Sequence, residues 1–256
     1  MFVLRIALCF SVMLYALSNA QTPRSKERDA LKGPVRTVSI ESARLSNEDK
    51  ARELSRKKVD AVSYENGRPT DRDVYDDYGF LLGREHYQYG ETDLLSQSVL
   101  RDARGKKIEL KTYSYNSKGE KILIRTYDAH GRLKVTQNYT YDIKRNLVVE
   151  AIRDSSRVIE KKISKLDPNG GTKEVSYYDS RGNLTEKWSF TYDAVGNLRE
   201  ETLYNPDGSR QKRFVHTYEL DAHGNWIMRK TTVRLNSPGE TLYESTFVTY
   251  RMINYH

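Results

Sequence analysis

The side chains of this 256-residue chain that could do chemistry are five histidines, thirty-five acids and an unusual store of aromatics, nineteen of them tyrosines. The histidines are His86, His130, His216, His223 and His256. No His-Glu-x-x-His, nucleophile elbow or phosphate-binding glycine loop surrounds them. His130 and His223 both stand in Asp-Ala-His-Gly, which reads as a turn with an exposed histidine rather than a His–Asp catalytic pair. The aspartates raise calcium, which needs six or more oxygens converging on one point. Asp76-Asp77 is the one turn doublet in this series, and single aspartates on successive turns lie at alternate sheet ends. A hydrolase would need paired acids on one face, for which Glu186 and Glu200 are the candidates. The aromatic rows point elsewhere. Trp188, Phe190, Tyr192, Tyr139 and Tyr141 could form a platform on which sugar rings stack. The sequence therefore favours binding over catalysis, with no cofactor and no metal site.

What positions these residues is a repeated turn. Asp179-Ser180-Arg181-Gly182 has an aspartate to accept backbone N–H bonds, two residues for a type I turn and a glycine for positive φ. Asp193–Gly196, Asp128–Gly131 and Asp221–Gly224 repeat it, Asp76 with Gly79 belongs to the same series, and Asn205-Pro206-Asp207-Gly208 is a variant. Turn glycines at 79, 105, 131, 182 and 208 fall 26 or 25 residues apart once the vacant slot at 157 is counted. A second series at 67, 119, 170 and 196 lies 12 residues ahead of the first, with Arg145 in a vacant slot. There either Arg145 bears the positive φ or the turn shifts to Asn146.

Between turns the chain alternates. Leu184, Glu186, Trp188, Phe190 and Tyr192 share one face, and Thr185, Lys187, Ser189 and Thr191 the other. The unit is a hairpin of 26 residues, and the chain reads as all-β: an antiparallel meander of about fourteen strands. Accumulated twist must coil such a meander into a barrel or a strongly twisted sheet. The greasy face (Leu133, Val135, Tyr139, Leu184, Trp188, Phe190, Leu198) is expected inside and the charged face in water.

Three segments precede or interrupt the repeats. Arg5, the apolar run Ile6–Leu17 and Ser18-Asn19-Ala20 read as a signal peptide over residues 1–20, too short to span a bilayer comfortably. Its removal takes Cys9, the single cysteine, and lowers the net charge from +8 to +7 through Arg5. Residues 21–33 read as a linker, and 34–256 as one domain containing a charged loop or short helix at 46–58. The basic balance is spread among the acids without an arm or stripe, which argues against nucleic acid. An envelope polysaccharide or a protein partner fits an exported chain better.

The units Tyr127–Leu133, Tyr178–Leu184 and Tyr192–Leu198 follow Tyr-Asp-x-x-Gly-(Arg/Asn)-Leu, and Tyr75–Leu81 follows it with Phe80 in the variable slot. In this the chain resembles the YD repeat of Rhs and teneurin-type proteins. The resemblance implies a β-hairpin ribbon that can spiral into a shell. It departs from the large members in being short and in leaving no room for a toxin domain after the repeats. The expected function is an exported, non-enzymatic binding or scaffold protein of the bacterial envelope, in the periplasm, on the cell surface or secreted. The alternatives are an accessory or remnant of a Rhs-like toxin system and an outer-membrane β-barrel.

Overall fold

A computed structural model describes residues 31–45, 55–154, 157–235 and 243–256. The signal peptide, nearly all of the linker and most of the charged segment at 46–58 lie outside them. Sixteen strands follow in order: β1 (Val35–Arg44), β2 (Lys57–Glu65), β3 (Arg68–Tyr75), β4 (Leu81–Tyr89), β5 (Leu95–Asp102), β6 (Lys107–Tyr115), β7 (Lys121–Asp128) and β8 (Leu133–Asp142). They continue through β9 (Leu147–Arg153), β10 (Val158–Leu166), β11 (Thr172–Asp179), β12 (Leu184–Tyr192), β13 (Leu198–Tyr204), β14 (Arg210–Leu220), β15 (Trp226–Leu235) and β16 (Tyr243–Tyr255). Each pairs antiparallel with the next, and β16 returns to β1 over Val35↔Tyr255 to Arg44↔Phe247, so the sheet closes into a barrel.

The turn chemistry is as the sequence implies. Asp76, Asp102, Asp128, Asp167, Asp179, Asp193 and Asp221 each accept, at one carboxylate oxygen, the N–H groups two and four residues on, at 2.8–3.0 Å. The glycine N–H returns to the aspartate carbonyl, as Gly182 to Asp179 at 3.0 Å. Gly79, Gly131, Gly182, Gly196, Gly208 and Gly224 all have positive φ. Twelve hairpin mouths carry a register shift that leaves one residue extra, for instance between Thr191 and Tyr192 opposite Leu198. The bulge adds local twist, which helps a sheet curve closed.

The strand number corrects the expected fourteen. A turn is missed where no glycine fills the positive-φ slot. Residues 90–94 turn with Asp93 at φ 63° in the slot between 67 and 119, and at 143–146 the positive φ falls on Asn146 (52°), not Arg145. Asp and Asn tolerate this conformation through their short polar side chains. The charged segment is also corrected at its end, because Lys57 and Lys58 belong to β2 and pair with Ser42 and Glu41.

Strands touch only their sheet neighbours, with no close Cα approach across the barrel. The inward face is the buried one and includes Val38, Ile40, Ile124, Tyr139, Val175, Leu203 and Val233. A small apolar cluster of Val35, Val38 and Ile40, with Leu31, Val59, Tyr64, Ile253 and Tyr255 against it, seals the seam where the first and last strands meet. The barrel has a front end, with the turns after odd strands (76–80, 102–106, 128–132, 179–183, 205–209), and a back end, with the turns after even strands (90–94, 116–120, 167–171, 193–197, 221–225). Both chain termini of the barrel lie at the back.

Candidate functional site

The interior is the site the fold builds. The expectation of an apolar inside and a charged outside needs correction, because both faces carry charge. Asp60, Glu150, Glu201, His216 and Arg251 are all buried. These residues are tolerated because they are paired. Arg72 Nε lies 3.0 Å from both carboxylate oxygens of Asp60, and a second guanidinium nitrogen lies 2.9 Å from one of them. Burial nonetheless holds the Asp60 carboxyl above its ordinary range against the pull of Arg72.

Three groups follow one another round the wall. On β4 to β6, Glu85 accepts from Ser98 Oγ at 2.7 Å and from the Tyr87 hydroxyl at 3.1 Å, and Ser98 Oγ is 3.2 Å from the Tyr113 hydroxyl. Lys111 lies 3.3 Å from Glu109. On β7 to β10, Glu150 accepts from Gln137 at 2.8 Å and faces Lys162 at 3.6 Å. Lys121 Nζ sits 4.9 Å from the Tyr139 ring centre. Burial lowers the Lys121 pKa to about 8, and Lys162 adds repulsion that Glu150 offsets. Burial raises the hydroxyls of Tyr87 and Tyr139 well above the usual phenol range, that of Tyr177 to about 12, and that of Tyr113 above its ordinary value. On β13 to β15, His216 bridges Glu201 (Nε2 to Oε1, 3.0 Å) and Thr231 (Nδ1 to Oγ1, 2.9 Å).

The expected platform is on this face. Trp188 packs on Phe214 with ring centres 5.9 Å apart, and its Nε1–H donates to Glu186 at 3.3 Å. Phe190 lies one inward position along, opposite Glu201. Tyr139 is covered by Lys121. Tyr141 and Tyr192 have a rim role: their hydroxyls donate to the carbonyls of Lys121 and Thr172. Tyr89, Tyr115 and Tyr218 do the same to Pro69, Leu95 and Leu198, always twenty residues back, at 2.7–3.0 Å over the five. These tyrosines brace the back end from inside. Tyr87, Tyr113, Tyr139, Phe190 and His216 form a second row, also at repeat spacing. That row was findable by extending the 26-residue period from the turns to the strands.

The other singled-out residues stay apart. Glu186 faces inward, while Glu200 faces outward and pairs with Arg213 at 2.7 Å, so the two acids share no face. His86 is exposed and 3.0 Å from Asp71 on the outer wall. His130 is an exposed turn residue, and its counterpart His223 stacks on Tyr255 at 4.1 Å. The Tyr255 hydroxyl bonds Asp221, and Asn225 donates to the Lys32 carbonyl at 2.8 Å, so this turn pins the two chain termini of the barrel together. Among the described residues no group of three or more His, Cys, Asp or Glu is arranged to hold a metal ion.

No family model and no curated protein matches the chain. Among solved structures, it is similar to a porin-like protein from Bacteroides uniformis, at 12% identity over 88% of this chain and 98% of that one, with a TM-score of 0.42. A porin-like protein from Bacteroides vulgatus matches at 14% identity over 87% and 98%, with a TM-score of 0.36. A Bacteroides fragilis protein of unknown function matches 51% of this chain and 95% of its own at 15% identity, with a TM-score of 0.31. At these scores the likenesses add nothing to the reading of the site.

Proposed function

We infer that this is an exported, non-catalytic β-barrel of the bacterial envelope that binds a polar ligand, with a polysaccharide as the favoured class, against its aromatic interior. One observation carries the reading. The inward wall interleaves ring faces (Tyr87, Tyr113, Trp188, Phe190) with ion-paired hydrogen-bonding groups (Glu85, Lys111, Glu150, Lys162), instead of filling with aliphatics. Sixteen strands exceed the roughly eight whose side chains fill a barrel. Glu186, inward-facing near the front end, is exposed, so water reaches the wall from there. Sugar rings stack on aromatic faces while their hydroxyls bond to such carboxylates and amines. The test is binding to a glycan array and to purified peptidoglycan, with Trp188→Ala and Phe190→Ala. A hit weakened about tenfold or more by these substitutions supports the reading, and no binding above background defeats it.

An outer-membrane barrel is the second reading, favoured by closure with an even strand number. The outer wall bears on it directly. Arg84–Asp73 (2.6 Å), Lys187–Glu174 (2.6 Å), Arg213–Glu200 (2.7 Å) and Arg234–Glu244 (3.2 Å) all lie on outward positions within the strands. A lysine or arginine facing lipid at the midplane costs about 2–4 kcal/mol, so the exterior favours water. Extraction decides between the readings: release from washed membranes without detergent supports the first, and retention in the detergent-resistant outer-membrane fraction the second.

A further inference from the structure

We propose that the front end of the barrel, over β3 to β10, docks on the surface of an anionic lipid bilayer. The argument starts from one repeat slot. The second residue of β4, β6, β8, β10, β12 and β14, just past the front-end turns, is the extra residue of the bulge, at 82, 108, 134, 159, 185 and 211. In three units this slot is polar and exposed: Lys134, Thr185 and Gln211. The fold therefore does not require an apolar residue there. In the other three it is Leu82, Ile108 and Ile159, which are 55%, 43% and 37% exposed. They lie on β4, β6 and β10, one arc of the rim about 30 Å long at two strand spacings per repeat.

The β3–β4 turn heads this arc. Where the equivalent turns have Arg104 and Lys106, or His130 and Arg132, this one has Tyr78 and Phe80, which are 76% and 72% exposed. The same arc is basic. Lys57, Arg104, Lys106 and Lys134 are exposed along it, and Lys57 Nζ lies 5.4 Å from the Tyr78 ring centre. The acids there are largely turned inward on the turns: Asp76, Asp102 and Asp128 accept backbone N–H groups. Asp77 is the acid at the tip of the β3–β4 turn, and Asp154, at the far end of the arc, pairs with Arg157 at 3.4 Å. Aromatics and aliphatics projecting past a basic border match the chemistry of a headgroup interface, where rings and chains enter the acyl boundary and lysines meet phosphate. The back end also has exposed apolar residues, Ile122, Ile143, Val195 and Leu220, with exposed Lys144 and Arg145 following Ile143, but they stand on four separate hairpins and include no exposed aromatic ring.

The experiment is vesicle co-sedimentation of the chain from Gln21 onward. The vesicles are phosphatidylethanolamine with phosphatidylglycerol, or phosphatidylcholine alone, at low and high salt. Binding is expected to the anionic vesicles, to weaken with salt, and to be at least about fivefold weaker on phosphatidylcholine. Tyr78→Ser with Phe80→Ser, and separately Arg104→Glu with Lys106→Glu, should each lower partitioning about tenfold. Ile143→Ser with Val195→Ser should leave it unchanged. The substituted front-end positions are exposed and take polar residues in sister repeats, and an unchanged far-ultraviolet spectrum confirms folding. No binding to anionic vesicles overturns the proposal. So does an equal loss from the back-end pair, or vesicle binding that is absent while an acidic protein is captured by the same residues.

Discussion

At Lys121 the barrel holds an ammonium group that is 3% exposed, with a pKa brought down to about 8 chiefly by burial. The sign of its effect on stability follows. Between about pH 8 and the ordinary lysine value near 10.4, the unfolded chain keeps a proton that the folded chain has released. Stability therefore rises with pH through that window, and below pH 8 the charged form carries a burial cost of about 3 kcal/mol. Lys121→Met is expected to stabilise the protein more at pH 7 than at pH 10.5, read from urea midpoints, with Lys162 remaining as partner to Glu150. An equal gain at both values would show that the cost is steric. Asp60 differs: Arg72 grips it with two nitrogens, so neither is cheaply lost alone.

At the scale of the hairpin, the glycines divide into two kinds. Gly182 has φ +86° and nothing within 4 Å of an added Cβ. Gly83, buried in β4, has an ordinary φ, and an added Cβ would run into the carbonyl oxygen of Arg101 on β5. Gly182→Ala should cost about 1 kcal/mol through backbone strain alone. Gly83→Ala should cost about 3 kcal/mol by prising β4 from β5. Urea unfolding of both variants checks this, and a Gly182 variant as damaged as the Gly83 one would refute the division. The same contrast explains what could be read in the sequence. Turns were legible because Asp179, Gly182 and their copies act within five residues. Asp93 hid one turn, and at the next vacant slot the choice between Arg145 and Asn146 stayed open, because positive φ without glycine leaves a weak mark. Faces were legible on β12, where Trp188 and Phe190 alternate with Ser189 and Thr191. They were not legible on β4, where Arg84 and Glu85 are both charged and only the pairing of Glu85 with Ser98 across the barrel wall shows which turns in.

For the whole molecule, closure was the open question in the sequence, since twist alone permits a coil or a barrel. The deciding contacts join residues more than two hundred apart, such as Asn254 donating to Thr37 Oγ1 at 2.8 Å and the His256 N–H donating to the Pro34 carbonyl at 2.9 Å. No local pattern announces them. The interior site shares that property: its rings and ion pairs are local in sequence, but only closure sets them around a common space.

The seam between β1 and β16 has one more consequence. A ring of strands has no first member, and here the two ends of the ring lie side by side at the back. Joining His256 to Pro34 through a short linker and cutting the chain at the Gly208 turn would keep every strand beside its present neighbours. Such a rearranged chain should fold to the same barrel, with an unchanged far-ultraviolet spectrum and a single unfolding transition. If it does not, the order in which strands leave the unfolded chain matters, and closure depends on β1 waiting for β16.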